Sequence, residues 1–231
     1  MKLRNPVSDL IVLQLQDNLE YGVDDPKVTI NSLQIQPVIP IVLSKSLRIV
    51  TRLTETVNHQ RKINVEGSKW GIGDLLTECW LAPNYQVEGW SFGAGPVFNF
   101  PAATDSAFGY QKWAAGPTVA VIKQKGGLTY GIILNHLWSF GGPGTSDISI
   151  TLVDPSLSYT WNNGFSAGME AQSNYDWIGE HWTIPLKLDA GPLIYIDKLA
   201  LSFTLAAVYY ASREPSDPKW GITITGSFVI K

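Results

Sequence analysis

The stretch Ser166–Trp177 reads S-A-G-M-E-A-Q-S-N-Y-D-W. Glu170, Gln172, Asn174 and Asp176 share one parity, and Ala167, Met169, Ala171, Ser173, Tyr175 and Trp177 share the other. A strand sends alternate side chains to opposite faces, so one face here is polar and the other apolar, with aromatics at its end. A soluble strand can carry this pattern once. Its recurrence along a chain, with aromatics near strand ends, is how a transmembrane β-barrel is written.

The recurrence is present. Gln14, Gln16 and Asn18 oppose Ile11, Leu13 and Leu15; Gln34 and Gln36 oppose Leu33 and Ile35. Lys187 and Asp189 oppose Leu186 and Leu188, and Gly221, Thr223, Thr225 and Ser227 oppose Trp220, Ile222, Ile224 and Phe228. About twelve strands are expected, near 8–22, 28–43, 47–58, 72–83, 88–101, 113–125, 128–141, 147–161, 165–178, 182–196, 199–212 and 220–230. The connections alternate between longer ones, such as His59–Gly71 and Ala102–Lys112, and brief ones, such as Ser44-Lys45-Ser46 and Lys125-Gly126-Gly127. This alternation predicts an all-β, antiparallel up-and-down barrel over residues 1–231, with both termini on the short-turn side.

Aromatic spacing points the same way. Trp90 and Phe98, Tyr130 and Trp138, and Trp220 and Phe228 stand eight residues apart on one parity. Eight residues of a strand tilted by about 40° rise roughly 20 Å, close to the separation of two aromatic girdles. With Tyr175 and Trp177 these six residues form the expected membrane girdle. The competing reading places the same aromatics in the core of a soluble sandwich.

Charge sets the phase. A midplane Arg or Lys facing lipid costs about 2–4 kcal/mol, so Arg52 is expected to face the lumen together with Arg48. Asp74 and Glu78 share a parity on the next strand, where they can pair with Arg52. The expected pore lining is Arg48, Arg52, Asp74, Glu78, Asn99, Glu170, Gln172, Asn174, Asp176, Lys187 and Asp189. On 128–141, an outward Tyr130 and Trp138 carry His136 outward too, with Ile133 and Leu137 inward. Pro37, Pro96, Pro117, Pro155, Pro185 and Pro192 fall inside expected strands, each removing a ladder donor. Three follow Ala-Gly, at 94–96, 115–117 and 190–192, and are expected to be bulges or bends.

Composition removes several functions. Charged residues are 16% of the 231, net charge is -3, and aromatics are 11%. Nucleic acid is therefore not an expected partner. The single cysteine, Cys79, allows no intramolecular disulfide. No apolar run is long enough for a transmembrane helix. The opening M-K-L-R-N-P-V-S-D-L has no apolar leader core, so a leader is expected to have been removed upstream. The three histidines, His59, His136 and His181, stand beside no nucleophile motif. Asp176 with Glu180-His181 can be drawn as an acid–base or metal cluster, and more simply as a solvated loop. No paired-Cys or His-x-x-x-His spacing occurs. The expectation is a non-enzyme with no cofactor and no metal.

Gly73-Asp74, Gly93–Phe98, Lys112–Thr118, Asn135–Phe140, Tyr175-Asp176-Trp177 and Trp220-Gly221-Ile222 resemble, in order, one outer-membrane family of transporters grouped with a phenol-degradation meta-pathway family. The resemblance implies a Gram-negative outer-membrane barrel that passes small, aromatic or apolar molecules. It carries over no catalytic residue. The family pattern has a basic residue at the places of Val208 and Thr223, so this lumen is less cationic. The resulting expectation is a passive channel for small solutes, with lipid bilayer or detergent around it and its oligomeric state open. The alternatives are a closed structural or engineered barrel, and a barrel enzyme of the outer membrane.

Overall fold

The computed structural model describes residues 4–23, 28–62, 67–196 and 199–230. The connections expected at Asp24-Asp25-Pro26, at Asp197-Lys198 and over 63–66 lie outside the described residues. The strands are β1 (Val12–Tyr21), β2 (Val28–Val42), β3 (Leu47–Lys62), β4 (Ser68–Ile72), β5 (Leu75–Pro83), β6 (Trp90–Phe100) and β7 (Trp113–Lys125). They continue as β8 (Leu128–Gly141), β9 (Ser149–Thr160), β10 (Phe165–Glu170), β11 (Ser173–Asp176), β12 (His181–Ile196), β13 (Leu199–Ser212) and β14 (Trp220–Val229). Every pairing is antiparallel, and β14 returns to β1 from Val12↔Val229 to Tyr21↔Trp220, so the sheet closes on itself.

Two wall strands are split. β4 and β5 both pair with β3, and β10 and β11 both lie between β9 and β12, so the wall has twelve positions. The single strand expected over 165–178 breaks at Ala171-Gln172 without changing register: Glu170↔Ser156 and Ser173↔Val153 belong to one continuous alignment. The inward set Glu170, Gln172, Asn174 is kept across the break. Summed around the ring, the registers give a stagger of about 14 residues, a tilt of about 40° and a backbone diameter of roughly 23 Å.

The first strand starts later than expected. Residues 4–11 are not strand; they turn inward at the short-turn rim, and the wall begins at Val12. The turn signals were present in Asn5-Pro6 and Ser8-Asp9: Asn5 Oδ1 accepts from the Val7 amide at 3.1 Å and Ser8 Oγ from the Leu10 amide at 3.4 Å. At the long-loop rim, β4 extends the sheet as a hairpin with β3 and pairs with no other strand, while β3 there also pairs with β2. Loop 101–112 braces it: the Thr104 amide donates to Ile72 O at 3.0 Å, and Lys69 pairs with Asp105 at 2.6 Å.

The Ala-Gly-Pro phrases are interruptions, not bulges. The β5–β6 ladder runs Glu78↔Val97, skips two pairs, and resumes at Leu81↔Ala94 in the same alignment. The same happens around Pro117 between β7 and β8, and around Pro192 between β12 and β13. True register shifts occur elsewhere, at Trp113/Ala114 and Ile184/Pro185. The cause is local. Each proline lacks the N–H that its cross-strand partner needs. The partner carbonyl (Cys79, His136 or Phe203) instead closes onto the preceding Gly95, Gly116 or Gly191, occupying the space of an absent Cβ. A Cα–H···O contact gives the carbonyl partial relief in a medium without water.

A side chain at these glycines therefore has nowhere to go. Gly116→Ala and Gly191→Ala should each destabilise the barrel by about 1–3 kcal/mol. Gly141→Ala, whose Cβ would meet nothing within 4 Å, should be near neutral. Urea unfolding in lipid vesicles reads the difference.

Candidate functional site: a bore lined by paired charges

The outward face is built as the aromatic spacing implied. Ile222 and Ile224 on β14, Leu186 and Leu188 on β12, and Leu134 on β8 are all exposed on one parity. At the short-turn rim Trp90 meets Tyr130 edge-on at 6.0 Å, and Phe228 meets Phe203 at 6.2 Å. At the long-loop rim Trp220 stacks on Tyr21 at 4.5 Å, and Tyr175 packs between Trp177 and Trp182 at 4.9 and 5.0 Å. Trp138 lies 3.9 Å from His136, whose Nδ1 is 2.6 Å from Thr151 Oγ1. Phe98 packs on Phe100 in the same belt.

The inward face has two halves. Near the short-turn rim the bore is filled on the side of β2, β3, β5 and β7. Val7 of the in-turned segment packs with Val50, Trp80, Ala82, Ala120 and Ile122 in one buried cluster, with Val7, Val50 and Trp80 at 0% exposure. Gly93 makes room, since a Cβ there would fall 2.8 Å from both Val7 and Trp80. Polar contacts pin the segment: Asn5 Nδ2 donates to Ser91 Oγ at 3.0 Å, Arg48 donates to Val7 O at 2.8 Å, and Arg4 forms a two-pronged ion pair with Asp189. The expectation of a polar lumen throughout is thus corrected for this half.

Above and beside the segment lies a cavity of about 410 Å³ that reaches Ser202 and Ser227. Its wall carries Arg52, Glu78, Glu170, Gln172, Asn174, Lys187 and Asp189, joined by Asp154, Asn135 and Gln14. Arg52 pairs with Glu78 through its Nε and Nη2, the Nη2–Oε1 contact being 2.8 Å, and Lys187 pairs with Glu170 at 2.6 Å. Five side chains from four strands close a loop. Trp80 Nε1 donates to Thr118 Oγ1 at 2.9 Å, Thr118 donates to Asn135, and Asn135 Nδ2 donates to Glu78 Oε1 at 2.8 Å. Arg52 then lies over the Trp80 ring at 5.3 Å. Each buried polar atom in the loop thereby has a partner, which is what permits such groups away from bulk water.

Four residues expected in the lining do other work. Arg48 is covered by Val7. Asp74 accepts the amides of Ala103 and Gln111 at 3.1 and 3.0 Å, anchoring loop 101–112. Asn99 donates to Lys112 O at 2.9 Å. Asp176 accepts the Ile178 and Gly179 amides, holding the turn before β12. In each case a loop amide or carbonyl lies closer than the bore, a contact that parity alone does not reveal. Asp154, Asn135 and Trp80 went unselected, although each stands on an inward parity: Asp154 with Ser156 and Ser158, Asn135 with Ile133, Trp80 with Glu78. The rim carries further charge. Lys69 holds the Asp105 carboxyl below its usual range by a hydrogen bond, as Lys112 does for Asp147. Burial pushes the Tyr110 hydroxyl up, and Asp176 and Asp217 add to the shift. Among the described residues no group of three or more His, Cys, Asp or Glu could hold a metal ion.

A closed antiparallel ring with an apolar, aromatic-belted exterior and a charged bore defines a transmembrane β-barrel of the outer-membrane type. The chain belongs to the family described as "Putative MetA-pathway of phenol degradation", whose model matches residues 9–183. Among solved structures it is similar to an outer membrane channel from Pseudomonas putida F1, with a TM-score of 0.72 at 14% identity over 96% of this chain and 95% of that one. It is also similar to the NanC porin, with a TM-score of 0.58 at 12% identity over 95% of this chain and 99% of that one. These likenesses concern the fold. No curated protein matches the chain.

The ion pair is the part of the site most open to measurement. Glu78 is wholly buried, so Glu78→Gln strands the Arg52 charge and should cost about 3 kcal/mol. Replacing both, as Arg52→Met with Glu78→Leu, should cost less than the single change. A double-mutant cycle of unfolding free energies checks this.

Proposed function

We propose that the protein is a channel of the Gram-negative outer membrane, seated in lipid, through which small solutes diffuse passively along a polar bore. The carrying observation is the cavity itself. Charged and amide side chains line it inside a wall whose outer face is apolar. Such a surface inside a membrane suits water and polar solute rather than lipid. Fixed charges of both signs favour small hydrated molecules over long apolar ones. The similarity to an outer membrane channel supports the reading.

A second reading has its own observation. The in-turned segment and the Val7–Trp80 cluster narrow the bore at the short-turn rim, and in this reading the resting barrel is closed. The two readings differ in conductance. Reconstituted in planar bilayers, the channel reading gives small single-channel steps, and the closed reading gives none. The paired change Arg4→Ala with Val7→Asp removes the Asp189 pair and the apolar seat. It should raise conductance several-fold if the segment narrows a working path. Unchanged traces would show that the segment lies off that path.

A further inference from the structure

The charges around the cavity do not balance. Arg4, Arg52 and Lys187 line it on the positive side, and Glu78, Asp154, Glu170 and Asp189 on the negative. Three acids are matched: Glu78 by Arg52, Glu170 by Lys187, and Asp189 by Arg4. Asp154 is the fourth. It is 5% exposed, and its Oδ1 is buried with no hydrogen-bond partner. The charged groups that act on it are Glu170, Arg52, Lys187 and Glu78. They are already joined to one another in two ion pairs, so none is left to neutralise it.

A lone buried carboxylate is costly, and the cost is lifted either by a proton or by a counter-cation. Space for a cation exists, because Asp154 borders the cavity rather than packed core. Oxygen-bearing neighbours on the same inward face, Ser156 on β9 and Gln172 at the facing position between β10 and β11, suit a hard monocation that keeps part of its water. One carboxylate does not make a divalent site.

We propose that Asp154 is a binding station for one compact monocation, an alkali ion or a primary ammonium group, and that it gives the bore a cation preference. Binding at this residue stands apart from the channel reading; the preference in transport rests on it.

Two measurements separate these. In planar bilayers under a potassium chloride gradient, the wild-type reversal potential should report several-fold potassium-over-chloride permeability. Asp154→Asn should bring the ratio to near unity, and Asp154→Glu should keep it. Steps with a reversal potential indifferent to Asp154→Asn would overturn the proposal. Absence of steps in the wild type would count against the channel reading alone. The second measurement needs no conduction. Infrared difference spectra of wild type minus Asp154→Asn, in detergent at neutral pH, should show an ionised carboxylate band in potassium or methylammonium buffer. The band should convert to a protonated carbonyl band when a bulky tetraalkylammonium is the only cation. A protonated band in all three buffers would overturn the proposal. Potassium and methylammonium as separate probes tell whether the station takes the inorganic ion, the ammonium group or both.

Discussion

The molecule depends on the pairing of β14 with β1. In hydrocarbon a backbone amide or carbonyl without a partner costs several kcal/mol, and no water is present to supply one. An open sheet would leave two edges in that state. Ten residue pairs from Val12↔Val229 to Tyr21↔Trp220 remove both. Once the ring is closed, the rest follows from the period of two: every strand must show one face to lipid and one to the bore. The Ala-Gly-Pro phrases test this constraint from within. Each removes a donor from the wall, and each is followed on the neighbouring strand by a carbonyl that closes onto glycine. The wall thus bears its prolines through close approach and keeps its alignment.

Closure also decides what the bore has to do. A ring of twelve strands encloses more space than wall side chains of ordinary size fill. The chain fills one side of the short-turn end with its own residues 4–11 and an apolar cluster around Trp80. Above and beside these residues it leaves a cavity of about 410 Å³ in which acids and bases are matched almost one for one. Arg52 and Glu78 sit beside the filled side, Glu78 buried and bonded to the Trp80–Thr118–Asn135 loop and Arg52 partly exposed to the cavity. The position suits a charge pair. It fixes a rigid wall below and sets the field above, and the unmatched Asp154 stands in that field.

The outward face was the most legible part of the sequence, because it depends only on parity. Ile222, Ile224 and Phe228 could be assigned from spacing, and so could His136 once Trp138 was placed. The bore was less legible. Parity says that Asp74, Asn99 and Asp176 turn inward, yet near the rim an inward carboxylate or amide meets loop amides before it meets the cavity. Those contacts join residues far apart in sequence. Arg48 was hidden for the same reason, behind Val7. Residues 8–11 look like the start of a strand through Leu10 and Ile11, and only the Ser8 turn signal, with Asn5 and Pro6 just before it, speaks against it. Trp80 shows the limit of the aromatic rule: a tryptophan on the parity of Glu78 belongs inside, where its Nε1 can reach Thr118.

The central claim is that lipid wets one parity of these strands and water the other. Nitroxide labels at Ile224 and Thr225, neighbours on β14, test it in a reconstituted bilayer. The account predicts that the label at 224 collides with oxygen dissolved in the bilayer and is shielded from a water-soluble nickel reagent. At 225 the order should reverse or both collisions should be suppressed by the bore. If the label at 224 meets the nickel reagent more readily than oxygen, or if both positions behave as dry interior, the barrel is not seated in a membrane as described.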